Sequence, residues 1–175
     1  MKDKITNQTI SGGFIFVIGI AMFTLLGGNY KKPILFGSIY VIAIIIQLIL
    51  MKKLRKGKRS VDNKKWVNMA FLFLGITCWG TIFICLNLLG NLNILWLLLL
   101  LFVAIHFLFF IPANGNKHWQ AQLIFVILLV FNVLLGLFFY SNQLEFVFIM
   151  DGLIKMGYGA WMVKTTYKLN IEDLS

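Results

Sequence analysis

Acid is scarce in this chain, with six Asp and Glu in 175 residues against sixteen Lys and Arg. Asp62, Glu145, Glu172 and Asp173 fall where loops or tails are expected. No catalytic constellation can be assembled from what is left. There is no Gly-x-Ser-x-Gly, His-Glu-x-x-His or Cys-x-x-Cys pattern and no glycine-rich phosphate loop, so neither an enzyme nor a cofactor is expected. Histidine is as scarce: His106 and His118 stand twelve residues apart across a turn with no ligand-rich cluster beside them, which argues against a metal. The two cysteines, Cys78 and Cys85, share one apolar run. Seven residues of helix put them ~10 Å apart along the axis, too far for a disulfide, and both read as small packing residues.

Charge of either sign is also thin. Only 13% of residues are charged and 60% are hydrophobic, with a mean hydropathy of +0.88. Ordinary soluble domains are nearer ~25% charged and ~45–50% apolar. A water-soluble core could not hide so much apolar surface, so the natural solvent for most of this chain is lipid. Six runs reach the roughly 20 residues that a spanning helix needs at 1.5 Å each. They cover residues 12–28, 33–51, 66–89, 92–111, 119–140 and 144–163. The expected fold class is therefore an all-α membrane protein, six transmembrane helices in an antiparallel bundle, forming a single transmembrane domain over residues 1–175. The first run follows Lys2 and Lys4 but ends Leu-Leu-Gly-Gly-Asn without a small-x-small cleavage pattern, so it reads as a retained span.

The net charge of +10 is unevenly placed. Eight basic residues crowd the loop at 52–65: Lys52, Lys53, Arg55, Lys56, Lys58, Arg59, Lys64 and Lys65. With six spans, Lys2, Lys4, Lys117, Lys164 and Lys168 share that side, and only Lys31 and Lys32 face the other. Excess Lys and Arg mark the cytoplasmic side, so both termini are expected there, in a multi-pass protein of the plasma membrane. The basic loop is expected to touch anionic lipid headgroups. No aromatic residue interleaves with it before Trp66, and nucleic acid is not an expected partner.

Short connections, such as Gly90-Asn91 and Ser141-Asn142-Gln143, force neighbouring spans into antiparallel hairpins. The stretch 112–116, with Pro112 and Asn114-Gly115, reads as a turn. Trp66, Trp96, Trp119, Trp161, Tyr30 and Tyr140 fall near span ends, where amphipathic rings settle at headgroup level. Gly12, Gly19 and Gly27 form roughly one stripe of the first span, and Gly152, Gly157 and Gly159 crowd around Lys155; both groups suggest close helix packing. The two halves of the chain show no convincing internal repeat.

The most informative residues are Asp151 and Lys155, opposite charges four residues apart inside the last run. Tyr158 follows at the same face of the helix. At 1.5 Å per residue from Leu144, Asp151 lies ~10 Å deep and Lys155 ~16 Å, beyond easy snorkelling. Acid before base is the favourable order for an intrahelical pair. Two readings stay open: a proton or ion relay, since so close a pair titrates as a unit, or a structural pair that locks the helix against its neighbours. His106, in the inner part of the fourth run, is either hydrogen-bonded to a neighbouring helix or a pH-sensitive group, its unperturbed pKa being ~6.5. Asn132, with Gly136 one turn on, reads first as an interhelical hydrogen bond. Gln47, Thr77 and Thr81 are weaker candidates.

The segment Ala104-Ile105-His106-Phe107, Asn132 with Gly136, and Asp151-Gly152-Leu153-Ile154-Lys155 together resemble a family of small six-span integral membrane proteins of unknown function from Gram-positive bacteria. The likeness covers residues 104–159; the first three spans share only hydropathy and the basic loop, and residues 112–119 depart from the pattern. It implies a fold and a membrane location and brings no activity. Two functions compete most closely. One is a small permease or proton- or ion-linked transporter using Asp151, Lys155 and Tyr158, helped by His106 and Asn132. The other is a non-enzymatic accessory, immunity or stress protein acting through a membrane partner or a second copy of itself. A membrane-embedded enzyme is the third and least supported.

Overall fold

Backbone polar groups cannot be left unpaired in hydrocarbon, and the apolar runs of this chain answer that constraint by helical winding. In a computed structural model, described for residues 7–54, 61–85, 87, 90–113, 118–138 and 143–172, the elements are helical throughout. Helix α1 spans Asn7–Met22, α2 Ile34–Leu54, α3 Val61–Ile84, α4 Leu92–His106, α5 Phe110–Ala113, α6 Trp119–Phe138 and α7 Leu144–Glu172. Six segments are long and apolar enough to cross a membrane: Gln8–Leu25, Ile34–Lys52, Lys65–Ile84, Leu92–Pro112, Trp119–Phe138 and Leu144–Thr165.

The helices do not stop where the apolar runs stop. Helix α2 continues through Lys52 and Lys53 to Leu54, and α3 already starts at Val61, so both ends of the expected 52–65 loop are helical. Arg55, Lys56, Gly57, Lys58 and Arg59 lie outside the described residues, as do Lys2, Lys4, Lys117, Tyr140, Asn142 and Asp173. Helix α7 runs nine residues past the expected end at 163. Lys, Leu and Glu are good helix formers whatever the solvent, so hydropathy marks the edge of the oil rather than of the helix. The acids move accordingly: Asp62 is in α3, Glu172 ends α7, and Glu145 sits in the first turn of α7, where the helix dipole favours it.

The first and fourth spans depart from expectation for backbone reasons. Helix α1 tightens into a 3-10 turn at Phe23–Leu25, and Gly27 and Gly28 then take left-handed φ of 65° and 78°. Gly27 thus serves a turn and not the packing stripe of α1. Helix α4 starts under an Asn91 cap, whose side chain accepts from Asn93 N–H at 3.0 Å and Ile94 N–H at 3.1 Å. It gives way at His106 to a 3-10 turn, Phe107–Phe109, before α5. Pro112 accounts for the change: its nitrogen cannot donate to Leu108, and its ring crowds that carbonyl. Pro112 therefore lies inside α5, not in a turn.

The contacts group into two compact units, residues 1–58 with 148–175, and residues 59–147. In the first, α2 packs against α1, with Tyr40 and Ala43 on its less exposed side. Tyr40 sets its ring edge against Phe14 at 6.1 Å, and Ala43 alone is buried among the described residues of α2. Val41, Ile42, Ile45, Ile46 and Ile49 stand exposed on its other faces. A helix apolar all round yet open on most sides suits a lipid surround.

In the second unit, α6 buries Gln122, Phe125, Val126, Leu129, Asn132, Val133 and Gly136, one clean stripe. It faces α4, which buries Leu95, Trp96, Leu97, Leu100, Ala104 and His106. Trp96 is 8% exposed, so this ring packs within the protein. Cys78 and Cys85 are both free, Cys85 being buried.

Candidate functional site

Helix α7 keeps one stripe out of contact with solvent: Leu144, Val147, Phe148, Asp151, Gly152, Lys155, Gly159 and Met162. Asp151 and Lys155 belong to that stripe, exposed by only 1% and 3%. The Lys155 Nζ donates to Asp151 Oδ2 across one helical turn. Among the described residues, neither side chain has another hydrogen bond or ion pair. The charges therefore cancel locally. Lys155 lies at the middle of the apolar segment Leu144–Thr165.

What stands against it is α1. A Cβ built on Gly12 would lie 2.9 Å from the Gly159 carbonyl oxygen, and one on Gly19 would lie 2.7 Å from that of Gly152. The reverse holds too: Gly159 would meet Gly12 O at 2.6 Å and Phe16 N at 2.7 Å, and Gly152 would meet Gly19 O at 2.8 Å. Glycines seven apart on α1 thus touch glycines seven apart on α7 in reverse order. The two helices cross antiparallel with backbones in contact, the use glycine has in lipid-buried interfaces. Lys155 falls between the two contacts. Gly157, expected in the same cluster, has nothing within 4 Å of its Cβ position and takes no part.

The other expected residues are distributed differently. Tyr158 is half-buried and stacks on Trp161 with centroids 5.7 Å apart. His106 and Asn132 belong to the second unit. The His106 Nδ1 bonds the Val103 carbonyl of its own helix. Its ring meets Phe107 at 4.3 Å and Phe110 edge-on at 5.7 Å. The Asn132 Nδ2 donates to the Val147 carbonyl oxygen of α7 at 3.0 Å. Thr77 donates to Phe73 O at 2.7 Å within α3. Among the described residues no group of three His, Cys, Asp or Glu is placed to hold a metal ion.

Gln122 escapes the sequence reading. It is buried, and its Nε2 donates to the Phe107 carbonyl oxygen at 2.6 Å, where α4 changes to 3-10 winding. The available signal is Pro112: a proline near a span end announces irregular carbonyls, and a glutamine early in the next span can reach them. Helix α6 thus presents two buried amides, each on a neighbour's backbone carbonyl. Asn132→Leu and Gln122→Leu are each expected to destabilise the protein by about 0.5–2 kcal/mol, the range for such bonds in lipid. Unfolding by SDS titration in mixed micelles measures it; an unchanged midpoint in both would deny these bonds a stabilising role.

The chain matches the family of unknown function DUF6609 over residues 1–172 and belongs to it. The match takes in the first three spans as well as the 104–159 segment that carries the motif likeness. No curated protein and no solved structure matches the chain.

Proposed function

We propose that this member of DUF6609 is a multi-pass protein of the bacterial plasma membrane, one transmembrane domain with both termini cytoplasmic, that works as a small proton- or ion-linked permease through Asp151 and Lys155. The carrying observation is an opposed ion pair buried at mid-span in the inward stripe of α7. A well-packed apolar pair in its place would often be as stable or more so, so stability alone is a poor reason for these charges. Charged groups at this depth ordinarily mark a path for ions, protons or substrate. The orientation is supported by the charge bias towards residues 52–65 and by the antiparallel α1–α7 crossing, which puts both helix ends that carry the termini together.

The chemistry runs through charge balance. While Asp151 is ionised, it holds Lys155 and the pair is neutral overall. A proton on Asp151 leaves the ammonium alone at mid-span, where it is costly unless water or a substrate anion joins it. Such a state favours movement of α7 against α1, and deprotonation closes the pair again. Liposomes containing the purified protein and a pH-sensitive dye test this. Asp151→Asn is expected to abolish proton-linked flux, while unchanged flux in that variant removes the mechanism.

A second reading is favoured by the closure of the site, since the two side chains have each other and almost no exposure. The pair then locks α1 to α7, and the protein acts as an accessory or protective factor through a membrane partner. Specific co-purification of one partner, without flux, would decide for it.

A further inference from the structure

The connection between α1 and α2 holds polar side chains that neither the ion pair nor the glycine contacts use. Gly27 and Gly28 reverse the chain in left-handed conformations that other residues adopt only with strain. From there the backbone is bonded step by step. Asn29 N–H donates to Leu26 O at 3.3 Å, Lys31 N–H to Gly28 O at 3.1 Å, Lys32 N–H to Asn29 O at 3.0 Å, and Ile34 N–H to Lys32 O at 2.8 Å. The Tyr30 ring packs on Phe148 of α7 at 5.9 Å, which fixes the connection to a helix of its own unit.

Beside this braced segment opens a cavity of about 340 Å³, lined by Thr24, Asn29, Lys32, Ile34, Leu35 and Ser38. That volume is enough for one phosphoglycerol group. Among the described residues, the side chains of Asn29, Lys32 and Ser38 make no hydrogen bond or ion pair. Thr24 donates its hydroxyl to Ala21 O at 2.7 Å and keeps its acceptor positions. Level matters as well. The first apolar segment ends at Leu25 and the second begins at Ile34, so Thr24 and Ser38 belong to the ends of the two apolar segments while Asn29 and Lys32 belong to the connection between them. In a bilayer spanned by these segments the cavity would stand at the height of the lipid headgroups. Lys32 is, moreover, one of only two basic residues expected on the side of the membrane where Lys and Arg are depleted.

We propose that this cavity binds the phosphate ester of an anionic glycerophospholipid. The Lys32 ammonium takes the phosphate as a point charge. The Asn29 amide and the Ser38 hydroxyl donate to phosphate oxygens, the Thr24 Oγ1 accepts from a headgroup glycerol hydroxyl, and Ile34 and Leu35 lie along the first carbons of an acyl chain. Free phosphate or glycerol phosphate offers the same polar chemistry without the chain, so the test separates the sources.

The full-length protein is purified in uncharged detergent, and its melting temperature is followed on adding mixed micelles with and without phosphatidylglycerol. Matching arms add inorganic phosphate or glycerol phosphate alone. The expected result is a rise of several degrees with phosphatidylglycerol only, cut by more than half in Lys32→Gln and kept in Lys31→Gln and Lys32→Arg. The Lys31→Gln arm controls for anionic lipid gathered elsewhere, as at residues 52–65. Equal losses in Lys31→Gln and Lys32→Gln, or no loss in Lys32→Gln, overturn the site. A full shift from glycerol phosphate alone overturns the lipid source.

Discussion

Lys155→Met alone is expected to destabilise the protein by about 3–5 kcal/mol, because it strands a carboxylate at mid-span with no partner. Asp151→Leu alone should do comparable damage by stranding the ammonium. The double variant Asp151→Leu/Lys155→Met is expected to recover most of the loss, since two apolar side chains in a buried stripe need no partner at all. Unfolding of all four proteins in mixed micelles gives the coupling directly. The same set separates the two roles of the pair. A double variant that is stable and still carries flux would show that the charges only hold the fold. One that is stable and carries none would place the charges in the working step. Additive losses in the two single variants, with no recovery, would contradict the pairing seen across this turn of α7.

One methyl group at Gly19 or Gly159 is expected to cost about 1–3 kcal/mol or more, at the upper end of overpacking effects. At both positions the new atom meets backbone, Gly152 O and Met156 N in one case, Gly12 O and Phe16 N in the other. Backbone cannot rotate away as a side chain can, so α1 and α7 must separate along their length. Gly13→Ala and Gly157→Ala serve as controls, since nothing lies within 4 Å of either Cβ position. There the alanine should be neutral or stabilise by about 0.4–1 kcal/mol through the unfolded chain. Equal effects at all four glycines would mean that α1 and α7 do not meet as described.

The sequence speaks most clearly where one residue property has one structural outcome. Apolar runs of spanning length lead to six helices able to cross a membrane because hydrocarbon leaves the backbone no other choice. Asp151 and Lys155 announce their own pairing because four residues make one turn. What hydropathy cannot convey is backbone partnership. Gln122 and Asn132 both bond main-chain carbonyls, of Phe107 and Val147, and a carbonyl has no letter in the sequence. His106 likewise bonds a backbone carbonyl, that of Val103 in its own helix. Glycine is ambiguous for a related reason. Gly12 and Gly19 serve close approach, Gly27 a left-handed turn and Gly157 neither, and only the neighbour's position separates those cases. Trp96 shows the same limit for aromatic rings: nearness to a span end does not say whether the ring turns outward or inward.

The unbroken course of α7 has a mechanical consequence. Its apolar segment ends at Thr165, yet the helix goes on to Glu172, about 10 Å further at 1.5 Å per residue. No proline interrupts it after Lys155. A twist imposed at Lys155 would therefore be carried along one continuous helix as far as Glu172.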